Sequence, residues 1–453
     1  MVRPALTQRL EEALAQGPTG ASDLVRRLGV SQPVLSRALS ALRHAGSVVQ
    51  MGTTRGARYA LARPIPGTGA RWPLFQIDAD GRARELGVLH ALEPNHYYLA
   101  KGPGRLRGLF EGIPYALLDA RPAGFLGRVV PHRFPELGLP ERINDWTDDH
   151  VLTYVTQRSA DNLGDLVLGE ASLDGHLCGS HALECIEPSD RAARYPAYAA
   201  AAMAGSPAGS SAQGEQPKFL VRRVASDRTT HVLVKFSPPH DSKAGRRWAD
   251  LLRCEYLAHQ LLRQAGIAAC ESQLFEFADR TYLEVERFDR VGAEGRRGVV
   301  SLFALDVTRY GKLDRWSECA RRLHQDRLLS ASDTERIALL EAFAMLIANT
   351  DRHFGNLTLF DRYSGPFELA PVYDMLPMLF APHHEQLTER AYVPPTPTAA
   401  LLRVWPAARD LAERYWKRLA EDDSLSESFR ELCAIALASL RDAPQRTLAG
   451  RDA

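Results

Sequence analysis

Two polar side chains separated by four residues, Asp351 and Asn356, are the most informative feature of this sequence. They lie in Asn349-Thr-Asp-Arg-His-Phe-Gly-Asn356, directly after an apolar run (337–348) predicted to be a helix. In phosphoryl-transfer enzymes with this spacing, the Asp accepts the proton of the attacking hydroxyl and the Asn holds a magnesium ion. One tight loop can place both groups. The spacing alone is common by chance, so its weight depends on the residues around it.

A second carboxylate and a lysine strengthen the pattern. Asp374 follows a predicted hairpin near 356–370, where a second metal-binding carboxylate is expected, and magnesium prefers oxygen ligands. Lys235 lies in the apolar run Val-Leu-Val-Lys-Phe, where an unpaired lysine would be costly. A nucleotide phosphate can pair with it, and Glu255 on the next predicted helix can hold the amine in its absence. The alternative is a strand-end lysine that reaches water.

The order of these features along the chain predicts a two-lobed catalytic unit. A glycine-rich stretch (209–218) precedes the first predicted strand, and its backbone N–H groups can cradle phosphates. The strand lysine, the helix glutamate, the Asp/Asn loop and the final Asp then follow in sequence. Glycine-rich loops are weak indicators by themselves.

The N-terminal segment predicts a winged helix-turn-helix. Apolar spacing indicates helices over 3–16, 22–28 and 31–44, and two strands follow, 48–51 and 58–61. Residues 1–63 contain nine arginines against three acidic residues, about +6, whereas the whole chain carries a net charge of only +1. This asymmetry indicates a polyanionic partner for the first segment.

DNA is therefore the predicted partner of this segment, the alternative being a solvated basic face. Arginines are expected to contact mainly phosphates, while the polar side chains of the third helix can reach base edges or backbone. The predicted DNA-binding residues are Gln32, Ser36, Arg37, Ser40, Arg43, Arg55 and Arg58. Such domains often bind paired half-sites, which makes a homodimer a further expectation.

The predicted fold class is α+β with several domains. The expected domains are the winged helix-turn-helix (1–63), a linker (64–71), an α+β subdomain (72–200) and a two-lobed core with a mainly helical C-terminal lobe (201–453). Strand-like runs at 74–77 and 97–100 support the α+β subdomain. The alanine-rich stretch 186–217 is interpreted as a mobile loop with side chains too small to pack a core.

Cysteine usage and hydropathy indicate a reduced, cytoplasmic protein with no membrane partner. The six cysteines are scattered, and no apolar run reaches the roughly 18 residues of a membrane span. One cluster, His176-Leu-Cys178-Gly-Ser-His181-Ala-Leu-Glu-Cys185, is a candidate metal site by residue type. Its spacing fits no common zinc pattern, so buried cysteines with surface histidines are the preferred interpretation.

These motifs together resemble the HipA family of toxin serine/threonine kinases, over residues 72 to about 440. With the fused helix-turn-helix, the whole chain resembles the YjjJ subgroup. The motifs that carry the resemblance are Asp161-Asn-Leu-Gly-Asp-Leu-Val-Leu168, Ser211-Ala-Gln-Gly-Glu-Gln-Pro-Lys218, Val285-Glu-Arg-Phe-Asp-Arg290, Asn349-Thr-Asp-Arg-His-Phe-Gly-Asn356 and Pro371-Val-Tyr-Asp374.

The resemblance implies a role for each matching residue in an ATP- and Mg2+-dependent kinase. Asp351 is the catalytic base with His353 beside it, and Asn356 and Asp374 bind Mg2+. The implied ATP-binding residues are Lys235 at the phosphates, Glu286 and Phe288 at the adenine, and Gln216, Lys218 and Tyr373. Ser211, or Ser210 next to it, is the implied site of inactivating autophosphorylation.

The protein substrate stays open, although relatives with known targets phosphorylate an aminoacyl-tRNA synthetase. Two other functions compete with the kinase. A nucleotide-binding transcriptional regulator with little kinase activity is disfavoured by the intact Asp351, Asn356, Asp374 and Lys235. A metal-dependent nuclease using Asp351, His353 and Asp374 leaves the strand lysine without a purpose.

Overall fold

The chain contains both helices and sheets, which confirms the predicted α+β class. The structure is a computed structural model that describes residues 3–53, 56–179, 183–205, 216–226, 228–383, 386–388 and 390–444. Two compact units are present. The first comprises Met1–Asp78, Arg82–Arg121 and Pro135–Ala182; the second comprises Ala79–Gly81, Pro122–Phe134 and Leu183–Ala453.

The first unit opens with the predicted winged helix-turn-helix. Its core is a set of leucines at helical spacing, with Leu10, Leu24 and Leu35 fully buried among them. The three strands pair antiparallel in the order β1-β3-β2. The elements are α1 (Arg3–Ala15), β1 (Thr19–Gly20), α2 (Ala21–Leu28), α3 (Gln32–His44), β2 (Val48–Met51) and β3 (Arg58–Leu61).

A five-stranded antiparallel sheet follows, in the order β7-β6-β5-β4-β8, and contains both strands predicted in this region. Of the elements that follow, α5 and α6 belong to the second unit and the others to the first. They are β4 (Arg71–Ile77), β5 (Ala83–Leu92), β6 (His96–Leu99), β7 (Gly108–Glu111), α4 (Tyr115–Leu118), α5 (Gly124–Arg128), α6 (Val130–Arg133), α7 (Asp148–Arg158), β8 (Leu166–Leu168) and α8 (Glu170–Leu177).

The winged helix-turn-helix packs directly against this sheet. Met51, Ala60 and Leu92 form a shared buried cluster, and Arg63 donates hydrogen bonds to Tyr97 Oη at 2.8 Å and Asp149 Oδ1 at 2.5 Å. The segment 64–71 lies at this junction. The predicted division of the chain into domains, including the linker at 64–71, stays a prediction.

The N-terminal lobe of the second unit is a five-stranded sheet between two helices. Its strand order is β12-β13-β11-β10-β9, antiparallel throughout except for the β9–β10 pair. Because side chains alternate along a strand, Tyr282 and Glu284 face α9 while Leu283 and Val285 face α10. The elements are β9 (Cys185–Ile186), α9 (Arg191–Ala204), β10 (Lys218–Ala225), β11 (Arg228–Phe236), α10 (Lys243–Gln264), β12 (Ser272–Phe277) and β13 (Arg280–Glu286).

The helix α9 corrects the interpretation of 186–217 as a mobile loop, which is wrong over 191–204. Alanine is the strongest helix former, and the helix is fixed by two larger residues. Tyr195 is fully buried, and Arg191 forms a bidentate ion pair with Glu284 on β13. Residues 206–215 lie outside the described part of the chain.

The C-terminal lobe is mainly helical, as predicted. The predicted hairpin is present as β17 and β18, and it is joined by β16, a strand that the sequence pattern did not predict. The elements are β14 (Arg290–Val291), β15 (Gly295–Arg296), β16 (Val299–Ser301), α11 (Leu302–Arg309), α12 (Trp316–Gln325), α13 (Ala331–Leu346), β17 (Thr358–Phe360), β18 (Glu368–Leu369), α14 (Trp405–Ala420) and α15 (Glu427–Asp442).

The described helices differ from membrane-spanning segments. Among them, none combines the length and the apolar character needed to cross a bilayer.

Candidate active site

Lys235 is held inside the N-terminal lobe by two carboxylates from different elements. It lies on the central strand β11 and is only 6% exposed. Its Nζ donates to both carboxylate oxygens of Glu255 at 2.7 Å, and to Asp374 Oδ1. The expected lysine–glutamate pair is therefore formed, and the strand-end lysine reaching water is wrong.

Burial and charge act in opposite directions on this cluster. Burial lowers the pKa of Lys235, but the carboxylates of Asp374 and Glu255 outweigh it and raise that pKa above its ordinary value. The lysine is therefore charged. Glu255 is fully buried, and this burial raises the pKa of Glu255 although Lys235 opposes the shift. A buried carboxylate of this kind depends on its cation.

The loop that follows α13 places Asp351 and Asn356 next to this cluster. Asn349 joins the parts: its Nδ2 donates to the Asp374 carbonyl at 3.0 Å, and its Oδ1 accepts from the Asp351 N–H at 3.0 Å. Asn356 Nδ2 donates to the Asp351 carbonyl at 2.8 Å. These three hydrogen bonds close the loop, so that Asp351, Asn356 and Asp374 are fixed relative to one another.

The backbone conformation of Asp374, and the hydrogen bond of its N–H group, fix the direction of its side chain. Its N–H donates to Glu255 Oε1 at 3.0 Å, and its φ of 55° lies in the left-handed region that non-glycine residues seldom adopt. The side chain is 28% exposed. Burial favours protonation, but the charges of Lys235 and Lys218 dominate and lower the pKa of Asp374 to about 2. The carboxylate is thus ionised at neutral pH.

Asp351 is the more exposed of the two aspartates. Partial burial and the nearby Asp374 carboxylate raise its pKa, while His353 and Lys218 oppose the shift. Because the side chain is open to water, solvent moderates these effects. His353 Nδ1 accepts the Gly355 N–H at 3.1 Å, which leaves Nε2 as the ring nitrogen that can carry a proton.

Asn356 and Asp374 fit the predicted magnesium ligands by donor chemistry. The amide nitrogen of Asn356 is already used in the bond to Asp351, which leaves Asn356 Oδ1 as an acceptor. Two protein oxygens suit magnesium, which commonly completes its shell with water and substrate phosphates. Among the described residues, no group of three or more His, Cys, Asp or Glu could hold a metal ion.

The predicted adenine-binding residues lie at the end of β13. Glu286 receives a hydrogen bond from Arg223 at 2.7 Å, so its carboxylate faces the α9 side of the sheet. The Phe288 ring packs against Tyr373, with centroids 6.0 Å apart, and edge-on against Phe360. The Glu286 N–H donates to the Glu271 carbonyl at 2.8 Å, so both its N–H and its carboxylate are engaged within the protein.

The remaining predicted ATP-binding residues flank the same cluster. Lys218 pairs with Lys235 across β10 and β11, and its charge reaches both Asp351 and Asp374. Gln216 Nε2 is buried and has no hydrogen-bond partner within the part of the chain that is described. Tyr373 Oη is hydrogen-bonded to Thr358 Oγ1 at 2.7 Å and to the Gly355 carbonyl at 2.8 Å, so it braces the loop.

The predicted autophosphorylation sites, Ser210 and Ser211, lie outside the described residues, as does Arg55 of the predicted DNA-binding set. The other predicted DNA-binding side chains are exposed in the winged helix-turn-helix. On α3 they are Gln32, Ser36, Arg37, Ser40 and Arg43. Arg58 is also exposed, but its guanidinium donates to the Pro18 carbonyl at 2.6 Å and supports the sheet.

Several residues of the site were not given a role by the sequence motifs. Asn349 is the hydrogen-bonding link of the loop, and Trp316 Nε1 donates to the His353 carbonyl at 3.3 Å from the adjoining helix α12. Glu284 on β13 accepts hydrogen bonds from Arg191, Tyr195 and Arg223. The only sequence signal for Glu284 is that it alternates with apolar residues in Leu-Glu-Val-Glu, which places charged side chains on one face of the strand.

The interpretation of the cysteine and histidine cluster is corrected in one respect. Cys178 and Cys185 are exposed, not buried, because each lies at the margin of a short element on the surface. His181 lies outside the described residues.

Comparison with known proteins assigns the chain to a family. Three family descriptions match it: "Bacterial regulatory protein, arsR family" over 12–48, "YjjJ-like toxin, middle domain" over 68–177 and "HipA-like C-terminal domain" over 210–439. The toxin YjjJ of Escherichia coli K12 is 35% identical over 426 residues, covering 93% of this chain and 95% of that protein.

A solved structure supports the fold. The Shewanella oneidensis toxin–antitoxin complex of HipA, HipB and operator DNA contains a chain that matches with a TM-score of 0.50 at 14% identity, covering 82% of this chain and 95% of that chain. This match supports a HipA-like α+β fold, and the helix-turn-helix region lies at its N-terminal end. The protein belongs to the HipA-like toxin family, in its YjjJ-like branch.

Proposed function

We propose that this protein is an ATP- and Mg2+-dependent serine/threonine protein kinase with a fused DNA-binding domain. The observation that carries the proposal is the buried Lys235–Glu255–Asp374 cluster, closed by Asn349 onto the loop that holds Asp351 and Asn356. A lysine, a helix glutamate, a general base and two magnesium ligands in one place are the requirements of phosphoryl transfer to a hydroxyl.

Each residue then has a defined task. Lys235 supplies a fixed positive charge for the nucleotide phosphates, and Glu255 keeps it in place. Asp351 accepts the proton of the substrate hydroxyl as that oxygen bonds to the terminal phosphorus of ATP, while the bond from this phosphorus to the β–γ bridging oxygen breaks and ADP leaves. Asn356 and Asp374 would hold Mg2+, which neutralises phosphate charge when bound.

The elements around the cluster supply the nucleotide pocket. Phe288 offers an aromatic face beside Tyr373, and the Glu286 carbonyl is proposed to accept a hydrogen bond from the adenine amine, since its N–H already donates to Glu271. Lys218 and Gln216 lead from the 206–215 segment into β10, beside Lys235. The Gln216 amide is buried and has no partner among the described residues, which is consistent with a polar ligand because such groups ordinarily find a partner. Autophosphorylation at Ser211 or Ser210 remains part of the proposal.

The N-terminal domain is proposed to bind DNA through α3. Its exposed face combines arginines with hydrogen-bonding side chains, as a recognition helix requires. The match to the arsR regulatory family covers this region, and the solved HipA relative is a complex with operator DNA. The kinase substrate is proposed to be a protein, with an aminoacyl-tRNA synthetase as the candidate that the family suggests.

The test is transfer of labelled γ-phosphate in the purified protein, followed by mapping of the labelled residues. Wild type is incubated with Mg2+ or with EDTA, beside Asp351→Asn. Label on Ser210 or Ser211 in wild type with Mg2+ alone is expected. If wild type binds ATP but transfers no label to itself or to candidate substrates, the protein is a nucleotide-binding regulator instead, and a nuclease assay follows.

A further inference from the structure

One face of α11 exposes large apolar side chains beside the proposed active site. Phe303 is 41% exposed and Val307 is 42% exposed. They are four residues apart on one helix, so they lie on the same face. The loop that follows the helix adds a third, Leu313, which is 47% exposed. We name these three residues the α11 surface.

Leu313 is held in an unfavourable conformation. Its φ of 44° lies in the left-handed region, where a side chain is strained. The fully buried Asp306 fixes the loop by accepting the N–H groups of Lys312 at 2.8 Å and Leu313 at 2.7 Å. Arg322 pairs with Asp306 from α12 at 3.2 Å. The fold thus maintains an exposed leucine at a position where glycine would relieve the strain.

The charges around Leu313 are positive. Lys312 and Arg315 are exposed, and neither forms an ion pair with any residue that the structure describes. Arg322 is shared between Asp314, at 2.6 Å, and the buried Asp306, at 3.2 Å, so the two exposed cations leave this loop with a net charge of +1. An apolar surface edged by two exposed cations complements a segment that presents apolar side chains flanked by carboxylates.

This surface is joined to the catalytic loop by direct contacts. The helix α11 packs on the turn Phe354–Asn356, and the Leu302 N–H donates to the Leu357 carbonyl at 2.8 Å. On the other side of the Leu313 loop, Trp316 Nε1 donates to the carbonyl of His353 at 3.3 Å. A partner bound at α11 is therefore close to the loop that holds Asp351.

We propose that the α11 surface, with Lys312 and Arg315, docks an acidic segment of the protein substrate that carries apolar anchors. The inference rests on the proposed kinase function for its purpose, since docking there would bring the acceptor hydroxyl towards Asp351. The docking itself is a binding event that needs no phosphoryl transfer.

The probe is a fluorescein-labelled peptide with two leucines flanked by glutamates, compared with the same peptide carrying lysines in place of the glutamates. Binding is measured by anisotropy on the full-length Asp351→Asn protein, so that catalysis cannot contribute. The acidic peptide is expected to bind more tightly, and its affinity is expected to fall as salt is raised.

Two variants of the surface test the residues. Lys312→Glu/Arg315→Glu is expected to weaken the acidic peptide by about tenfold or more. Leu313→Gly is expected to weaken it while keeping the melting temperature at or above the parent value, because glycine relieves the strained φ. If Leu313 had only a structural role, Leu313→Gly would lower the melting temperature and leave peptide binding unchanged. Ile435→Ser, on the remote helix α15 and at a 59% exposed apolar position, is the matched control.

The outcomes separate this inference from the proposed function. Equal binding of the two peptides, or acidic-peptide binding unaffected by the surface variants, overturns the docking site even if wild type transfers phosphate. Selective binding that the variants abolish supports the site even if wild type transfers none. If Leu313→Gly changes sedimentation of the protein and leaves peptide binding intact, the surface joins copies of this chain and the inference is wrong.

Discussion

The proposed catalytic cluster and the recognition helix α3 position their functional side chains in opposite ways. Around Lys235 the charged groups are buried and hydrogen-bonded to one another across β11, α10 and the Asp374 segment. On α3 the side chains of Gln32, Ser36 and Arg43 are exposed on a helix whose other face is the domain core. The same chain therefore combines an interdependent site with a surface of independent contacts.

This difference determines what a substitution reports. Removing one member of the buried cluster leaves another charge uncompensated, so stability and activity change together. Removing an exposed arginine changes one contact and little else. A substitution in the cluster therefore needs a second substitution that restores the charge balance. Only then can a loss of activity be attributed to the catalytic step and not to unfolding.

The largest stability effect is expected for Lys235→Met. The change leaves the fully buried Glu255 without its cation, and the free energy of unfolding is expected to fall by about 3–5 kcal/mol. The double variant Lys235→Met/Glu255→Gln should recover most of this loss, because glutamine is neutral and its oxygen can still accept the Asp374 N–H. Denaturant unfolding measures both. Phosphoryl transfer should stay absent in the double variant. Unchanged stability of Lys235→Met would contradict the claim that the buried cluster, unlike the α3 surface, is interdependent.

A smaller effect is expected from acid. The pKa of Asp374 is lowered to about 2 in the folded protein, below the ordinary value of an aspartate. Its ionised form therefore stabilises the fold above about pH 4, and this contribution is lost as the pH falls towards 2. The free energy difference between wild type and Asp374→Asn should shrink by on the order of 1–2 kcal/mol across that range. Urea unfolding at several pH values measures it, and a pH-independent difference contradicts the assigned pKa.

The sequence was sufficient to predict which residues form the proposed catalytic cluster, but not the hydrogen bonds that join them. Local spacing and the following hairpin were enough to predict that Asp351, Asn356 and Asp374 lie together, while their catalytic roles stay predictions. The role of Asn349 was not predictable, since it depends on a contact with Asp374, 25 residues away, that no local pattern encodes. The network on Glu284 was missed for the same reason, because Arg191 and Arg223 come from distant elements.

Local composition was misleading in one segment. The alanine-rich stretch before β10 was interpreted as a loop since small side chains contribute little burial. Tyr195 and Arg191 nevertheless anchor it as α9, and alanine favours the helix once two anchors exist. The winged helix-turn-helix was easier to predict, because its leucines repeat at helical spacing and its strands flank a glycine-containing turn.

The smallest effect is expected on the exposed surface of α3. Arg37→Ala and Arg43→Ala should each weaken DNA binding and reduce the salt dependence by about one phosphate contact. The free energy of unfolding should change by less than about 0.5 kcal/mol. Anisotropy of labelled duplex DNA at several salt concentrations measures the slope. Arg414→Ala, an exposed arginine on α14, is the control; an equal loss in that variant removes α3 as the binding surface.

Asp351→Asn tests the central claim most directly when phosphate transfer and DNA affinity are measured on one preparation. The side chain is exposed, and asparagine retains its shape while losing the ability to accept a proton. Transfer of labelled γ-phosphate is expected to fall by about 100-fold or more, with DNA affinity unchanged. Transfer that persists at the wild-type rate would contradict the assignment of Asp351 as the base. A parallel loss of DNA binding would contradict the independence of the two regions.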